Sequence, residues 1–333
     1  MLSCNRAEPE QQSGDLIRIG ATIADVPSTK ALLNKADLKG TGTTVKIYDD
    51  LTDFVGTITV GTQSHTGTAE NPIDFKYIDD TMVWAEGQGE NAKWNFDSGI
   101  AWRWTRTGIH HFYGWLTKDP AGLQNNGTGT AATFNESTKV LSVPAITFTK
   151  DTPQFDFSYS DIVTKDVNSG FNAAESVNLK LNHLFSAISL TIQNNGGSDA
   201  TIKSVTIENL NNKKLAQISY AGISPVVTLT PAPAEEQTNF LAGITDFDFN
   251  AGGTKYDLIT GTQIASSAKG EYFLIWPQTT AEVGELNAEG SIKFVVTYTY
   301  DGIYDDEEQT QLHENVAECY LSEAVSEIKA GHK

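Results

Sequence analysis

Apolar and polar side chains alternate with a period of two along much of this sequence, and that pattern constrains the fold more than any other feature. Phe155, Phe157 and Tyr159 alternate with polar residues, and the same alternation recurs over residues 294–300. Such alternation is typical of half-buried strands. Helical periodicity is nearly absent, and the 28 glycines and 10 prolines provide many turns. The sequence therefore predicts an all-β fold of antiparallel sandwiches rather than a parallel α/β fold.

The length of the chain favours two such units. A chain of 333 residues is long for one β-sandwich and comfortable for two. The segment 164–176 is polar and rich in turn-forming residues, which favours a linker there. We expect two tandem antiparallel β-sandwich domains, at residues 15–170 and 171–333, preceded by a polar tether at residues 1–14.

One stretch shows a change in the phase of the alternation. Val177, Leu179 and Leu181 share one face, whereas the apolar residues at 188, 190 and 192 have the opposite parity. A slip of one residue moves side chains to the other face of a strand. A bulge or corner near residues 184–187 is therefore predicted, and His183 beside it is expected to be a core or interface residue.

The charge of the chain excludes some partners. The formal net charge is −19, and the only arginines are Arg6, Arg18, Arg103 and Arg106. Nucleic acid and anionic membrane surfaces would repel such a protein. The acidity is typical of an exposed protein that resists non-specific association.

The two cysteines are predicted to differ in role. Cys319 lies in an apolar stretch, which favours a buried free thiol. Cys4 follows Leu-Ser, as at the end of a bacterial lipoprotein signal, and a polar tether follows it. No charged or apolar signal region precedes Cys4, so either a signal lies upstream of Met1 or Cys4 is coincidental. We expect lipidation at Cys4, and no stretch is apolar for long enough to cross a membrane.

No catalytic or metal-binding motif emerges from the sequence. The six histidines lack paired metal-ligand spacing, and His110 and His111 would point to opposite faces of one strand. Asp246 and Asp248 begin like a calcium loop, but Ala251 stands where that loop needs glycine, so a strand is favoured. We expect no metal, no cofactor and no enzymatic activity.

Aromatic residues cluster between Trp84 and Trp115. Trp84, Trp94, Trp102 and Trp104 lie there with several carboxylates. A structural core is the first interpretation, a platform on which sugar rings stack is the second, and a catalytic cleft is a distant third. An exposed cluster would favour glycan binding, and a buried one a structural role.

Four segments together resemble one family, the fimbrillins of Bacteroidales, including the Mfa-like and FimA-like groups. VNLKLNHLFSAISLTIQNN at 177–195 is similar to the strand pair of that family with its central histidine, and FLIWPQTT at 273–280 to its Pro-Gln strand end. HHFYGWL at 110–116 resembles its aromatic strand, and STKALLN at 28–34 the exit from its first strand. The likeness covers most of the chain, although each motif alone is degenerate.

The resemblance implies transthyretin-like, Greek-key sandwiches, export as a lipoprotein, and a cell-surface or outer-membrane location in a fimbria. In well-studied relatives a protease removes the first strand, and a strand from a neighbouring subunit fills the apolar groove. Here the removable strand would be residues 16–23, with these apolar members: Leu16, Ile17, Ile19, Ala21 and Ile23. Relatives are often cut after arginine in the next loop, where this chain has Lys30. We expect release after Lys30.

The family resemblance implies a structural or adhesive subunit, at the shaft, tip or anchor position. Its partners would be other fimbrial subunits, with a surface glycan or protein as a further candidate. Family members usually continue beyond residues 330–333, so this chain is expected either to be truncated or to lack the donated segment. The alternative function is an outer-membrane lipoprotein that binds glycans.

Overall fold

The computed structural model describes most of the chain. Its described residues are 15–23, 38, 43–85, 93–118, 132–149, 156–169, 171–237, 240–241, 246–258, 262–268, 270–304, 312–323 and 327–330. The predicted lipidation site Cys4, the predicted cleavage site Lys30 and the motif at 28–34 lie outside these ranges. Within them, no helix has the length and apolar character needed to cross a membrane.

The first half of the described chain is built from strands. In chain order they are β1 Ile19–Ile23, β2 Thr44–Phe54, β3 Gly56–Val60, β4 Gln63–Gly67, β5 Ile73–Ala85, β6 Lys93–Phe96, β7 Ile109–Lys118, β8 Thr133–Asn135, β9 Val140–Thr147, β10 Ser158–Ser160, β11 Val163–Asp166 and β12 Val177–His183.

The second half continues with short strands and one helical turn. The strands are β13 Ser186–Ser189, β14 Thr191–Asn194, β15 Ala200–Glu208, β16 Lys213–Ser219, β17 Val226–Pro231, β18 Phe240–Leu241, β19 Phe247–Phe249, β20 Thr254–Asp257, β21 Thr262–Ile264, β22 Tyr272–Ile275, β23 Lys293–Tyr304 and β24 Leu312–Tyr320. Helix α1 covers Thr280–Val283, and 3-10 turns cover Ala234–Glu236 and Leu321–Glu323.

The largest sheet has the order β1-β12-β10-β7-β2-β5-β6, with β11 paired to β7 beside β10. Its two edge strands, β1 and β6, lie against each other, so the sheet curls around one apolar core. One parity of β2 (Val45, Ile47 and Leu51) points into this core, as the two-residue alternation requires. The opposite parity presents Tyr48 to a second core.

The second core lies between the outer face of the large sheet and a sheet of order β17-β16-β9-β8. Tyr113 and Trp115 of β7 contribute to it, as do Leu141 of β9 and Ile218 of β16. Trp276 packs in the same core and donates its indole N–H to the carbonyl oxygen of Ile146 at 2.8 Å. The large sheet is therefore apolar on both faces.

In the described residues, β3 and β4 pair as a separate two-stranded sheet, and the later strands form three more: β13-β22, β14-β20-β21, and β18-β15-β23-β24 with β19 also paired to β15. Two smaller apolar cores fill the space between them, one around Ile202 and Tyr256 and one around Phe240 and Phe273. The all-β class predicted from the alternation is confirmed.

The predicted slip in residues 177–192 is confirmed. Strand β12 ends at His183, Leu184 and Phe185 form a bend, and β13 begins at Ser186 in a different sheet. His183 is buried, as expected. Asp248 lies in β19, the strand that the sequence favoured there.

Sheet pairing crosses the predicted division at residue 171 in both directions. Strand β12, from the later half, completes the first sheet, whereas β8 and β9, from the earlier half, pair in the sheet of β16 and β17. The predicted boundary therefore does not coincide with a break in hydrogen-bonded pairing. The second core spans both halves for the same reason.

The prediction that Cys319 is buried is wrong. The thiol is free and exposed on β24, which pairs only with β23 in the described part of the chain. Both parities of β24 are largely solvated, and Val316 is 61% exposed. The apolar pattern at residues 317–321 misled because, among the described residues, no layer packs over this edge strand and both of its faces are exposed.

Candidate functional site

The candidate site is the groove that holds the first strand. Strand β1 lies at the edge of the large sheet and pairs in parallel with β12, from Ile19 opposite Val177 to Ile23 opposite Leu181. Every other strand ladder in the described ranges is antiparallel. The predicted removable strand is thus an edge strand with a distinct mode of pairing.

Backbone hydrogen bonds hold the beginning of this segment on both sides. The Val177 N–H donates to the carbonyl oxygen of Arg18 at 2.7 Å. On the other side, the Ile17 N–H donates to the Trp102 carbonyl at 2.9 Å, and the Trp104 N–H donates to the Asp15 carbonyl at 3.0 Å. Residues 15–18 therefore bridge β12 and the loop before β7.

Side chains of the segment alternate between the core and solvent. Ile17, Ala21 and Ile23 are buried and Ile19 is half-buried, whereas Arg18 and Leu16 are exposed. Leu16, which the sequence grouped with the apolar members, is 47% exposed because its parity is opposite to theirs.

The walls of the groove are apolar and fully covered. Val177, Leu179 and Leu181 of β12 are each 0% exposed, and they belong to the same core as the buried residues of β1. Across the groove, Trp94 and Trp104 contribute to that core. Without β1 this surface would face water.

The four tryptophans of the predicted glycan platform divide into two kinds. Trp94 and Trp104 are buried, with Trp104 only 2% exposed, whereas Trp84 and Trp102 are partly exposed. Trp84 and Trp94 form a cross-strand pair with ring centroids 5.5 Å apart in a T-shaped arrangement. Two of the four tryptophans are therefore buried in the core, and the other two pack against it while remaining partly exposed.

A buried polar network that the sequence did not suggest lies beneath the same core. His110 Nδ1 lies 2.5 Å from Asp49 Oδ2, and His110 Nε2 lies 2.8 Å from Thr105 Oγ1. Burial raises the pKa of the Asp49 carboxyl above its ordinary value, and the charge and hydrogen bond of His110 oppose that rise. The order Thr-His-Asp resembles a nucleophile with its base, but all three side chains are buried. The network is therefore shielded from solvent.

His111 behaves differently from its neighbour. Its ring lies 3.2 Å from Thr52 Oγ1 and 3.2 Å from Thr164 Oγ1, near the surface of the sheet. The opposite orientation of the two histidines is the one predicted for adjacent strand residues. Among the described residues, no group of three or more potential metal ligands comes together.

No protein-family model and no curated protein matches the chain. Comparison with solved structures does find similar chains. One is a candidate cell adhesion protein from Bacteroides uniformis, with 13% identity and a TM-score of 0.43, covering 95% of this chain and 89% of that one. Another is a fimbrial protein from Bacteroides vulgatus, with 11% identity and a TM-score of 0.47, covering 91% and 89%. A candidate cell adhesion protein from Bacteroides ovatus has 11% identity and a TM-score of 0.35, covering 91% and 86%.

Proposed function

We propose that this chain is a non-enzymatic, adhesive or structural subunit of a surface fimbria that assembles by strand exchange. Its partners are other fimbrial subunits. Lipid on Cys4 would attach it to the outer membrane before assembly, and cleavage after Lys30 would free β1. The functional class agrees with the descriptions of the solved structures above, while the support for strand exchange comes from the groove itself.

The observation that best supports strand exchange is that β1 is a short edge strand over a preformed apolar groove. Its buried side chains cover Val177, Leu179 and Leu181. Strand β12 is also paired on its other edge, with β10, so the wall of the groove retains support when β1 leaves. A strand that brings backbone pairing and alternate apolar side chains can then take its place.

The energetics favour replacement over an empty groove. Fully burying one isoleucine side chain stabilises a fold by about 1.5–3 kcal/mol, and β1 with its preceding turn buries Ile17 and Ile23 together with Ala21. An open groove would lose this contribution and expose a row of unpaired backbone groups on β12. A strand from another subunit restores both the apolar burial and the backbone pairing.

The test is to insert a specific protease site between Ile23 and Thr44 and to compare the intact and cleaved chain. The intact chain should stay monomeric, and cleavage should produce a ladder of polymers in native electrophoresis. An excess of a synthetic peptide of residues 15–23 should suppress the ladder, because it refills the groove. A peptide with aspartate in place of Ile19, Ala21 and Ile23 should not.

A second cleavage site, in the exposed turn at Gly61 and Thr62 between β3 and β4, is the matched control. Cleavage there also cuts the chain once, but β1 remains covalently joined to β2 in the centre of the large sheet. No ladder is therefore expected. A ladder with either cut, or none with the first cut, would refute assembly by strand exchange.

A further inference from the structure

A cavity of about 890 Å³ opens where the two edges of the large sheet meet. Residues 15–19 form one wall, residues 93–96 of β6 form another, and the loop 99–103 closes the end. The volume is within the range of about 300–1,000 Å³ that is usual for small-molecule sites. The cavity adjoins the groove beneath β1, because Ile17 and Trp94 border both.

The cavity concentrates positive charge in an otherwise acidic protein. Arg18, Lys93 and Arg103 line it, against one lining carboxylate, Asp15. The chain has only four arginines and a net charge of −19. Two of those arginines, Arg18 and Arg103, line this one cavity. Arg18 and Lys93 are solvent-exposed. Such a site attracts carboxylates, which arginine can bind through two parallel hydrogen bonds.

An aromatic ring is fixed at the same cavity. The Trp102 indole N–H donates to Asp80 Oδ2 at 3.0 Å, and that buried carboxylate also accepts from Ser98. Tyr77 packs edge-on against the Trp102 ring, with centroids 5.4 Å apart. The ring is therefore held in place before any ligand arrives, which lowers the entropic cost of binding.

The cavity offers side chains rather than a free strand edge. The backbone of residues 15–17 already pairs with residues 102–104, which disfavours an added peptide strand at that wall. Leu16 and Ile100, 47% and 50% exposed, provide apolar contacts beside the charges. Apolar patches, a fixed indole and cations suit a sugar ring that carries a carboxylate, because the ring has an apolar face and the acid is ionised at neutral pH.

We infer that this cavity binds an acidic saccharide, a short chain of sugars bearing carboxylates. The inference goes beyond the proposed function, since it assigns a ligand class to a site that strand exchange does not require. Arg18 and Lys93 hold the carboxylates, and Trp102 supports a sugar ring.

The test uses the full chain and trigalacturonic acid, with the neutral galactose trimer of the same linkage as comparator, monitored by calorimetry and tryptophan fluorescence. The acidic trimer should bind at least about tenfold more tightly than the neutral one, and more weakly at higher salt. Arg18→Gln and Lys93→Gln should each weaken binding about fivefold. Arg106→Gln, an exposed arginine outside the cavity, should leave it unchanged.

Three results would overturn the inference: equal affinity for the two trimers, no binding of the acidic trimer at millimolar concentration, or binding of an Asp-Glu heptapeptide in preference to both. Circular dichroism of each variant separates loss of binding from loss of fold. The chain with an uncleaved β1 is used throughout, so the outcome is independent of polymer formation.

Discussion

Replacement of Gly114 by valine is expected to prevent the large sheet from forming, with a loss of more than about 4 kcal/mol in the free energy of unfolding. Gly114 lies in β7 opposite Ile47 of β2. A Cβ atom at this position would stand 2.0 Å from the carbonyl oxygen of Lys46 and 3.3 Å from the Ile47 Cα. Both contacts are backbone, so the two central strands would have to separate.

The surroundings of Gly114 leave little freedom for such a movement. Its N–H donates to Ser160 Oγ at 2.8 Å, and its carbonyl accepts from the Tyr220 hydroxyl at 3.1 Å. Displacement would therefore break polar contacts to two further parts of the chain as well as the ladder between β2 and β7.

Soluble yield and urea unfolding of Gly114→Ala and Gly114→Val would measure the effect. Gly197→Ala is the matched control, because nothing lies within 4 Å of the added carbon there, and it should unfold near the wild-type urea concentration. If Gly114→Ala unfolds at the same urea concentration as Gly197→Ala, the close approach of β2 and β7 is refuted.

The second large effect is expected from His110→Phe, which should cost about 3–5 kcal/mol at neutral pH. Phenylalanine keeps the packing against Trp104 and Phe112, whose ring centroids lie 5.2 and 5.6 Å from that of His110. It removes the partner of the fully buried Asp49 carboxylate. A buried charge without its partner is strongly destabilising.

The loss should depend on pH in a definite direction. Burial already raises the pKa of Asp49, and loss of His110 removes two influences that lower it. Because the folded-state pKa then lies further above the unfolded value of about 3.9, folding favours the protonated acid. The stability that Asp49 contributes in the variant is full at pH values below its unfolded-state pKa. It is lost as pH rises through its folded-state pKa.

Urea unfolding of wild type and His110→Phe at pH 4.5 and pH 7.5 would test this, with the larger difference expected at pH 7.5. Adding Asp49→Asn retains an oxygen for the His111 N–H, which donates to Asp49 at 3.1 Å, but removes the charge. That double variant should show a difference from wild type that varies less with pH. A constant difference for His110→Phe alone would show that Asp49 does not set the cost.

Local patterns were enough to predict the strands. The parity of Val45 and Ile47, and the parity of Val177 to Leu181, follow from a two-residue period that each strand imposes on its own sequence. The slip before Ile188 could also be predicted, because the change of sheet between β12 and β13 shifts the parity of the apolar residues. The N-terminal segment with Ile17, Ile19 and Ala21 was instead identified from the family resemblance, and its apolar residues fit the same two-residue period.

Pairing between distant segments could not be predicted from local patterns. The groove exists because residues near 20 meet residues near 179, and the Asp49–His110 pair joins positions 61 apart. Neither contact leaves a periodic signal in the sequence. A compositional signal did exist for the cavity, since arginine is scarce in this acidic chain and Arg18 and Arg103 both line it.

Strand β1 contributes to two surfaces at once, because its buried parity fills the groove and residues 15–19 form a wall of the cavity. Departure of β1 would dismantle that wall, so the inferred saccharide would bind only while β1 is in place. By thermodynamic reciprocity, a bound saccharide would hold β1 in place to the same degree that β1 supports the saccharide. Under the proposed strand exchange, a bound saccharide would therefore slow the release of β1 and, with it, polymerisation.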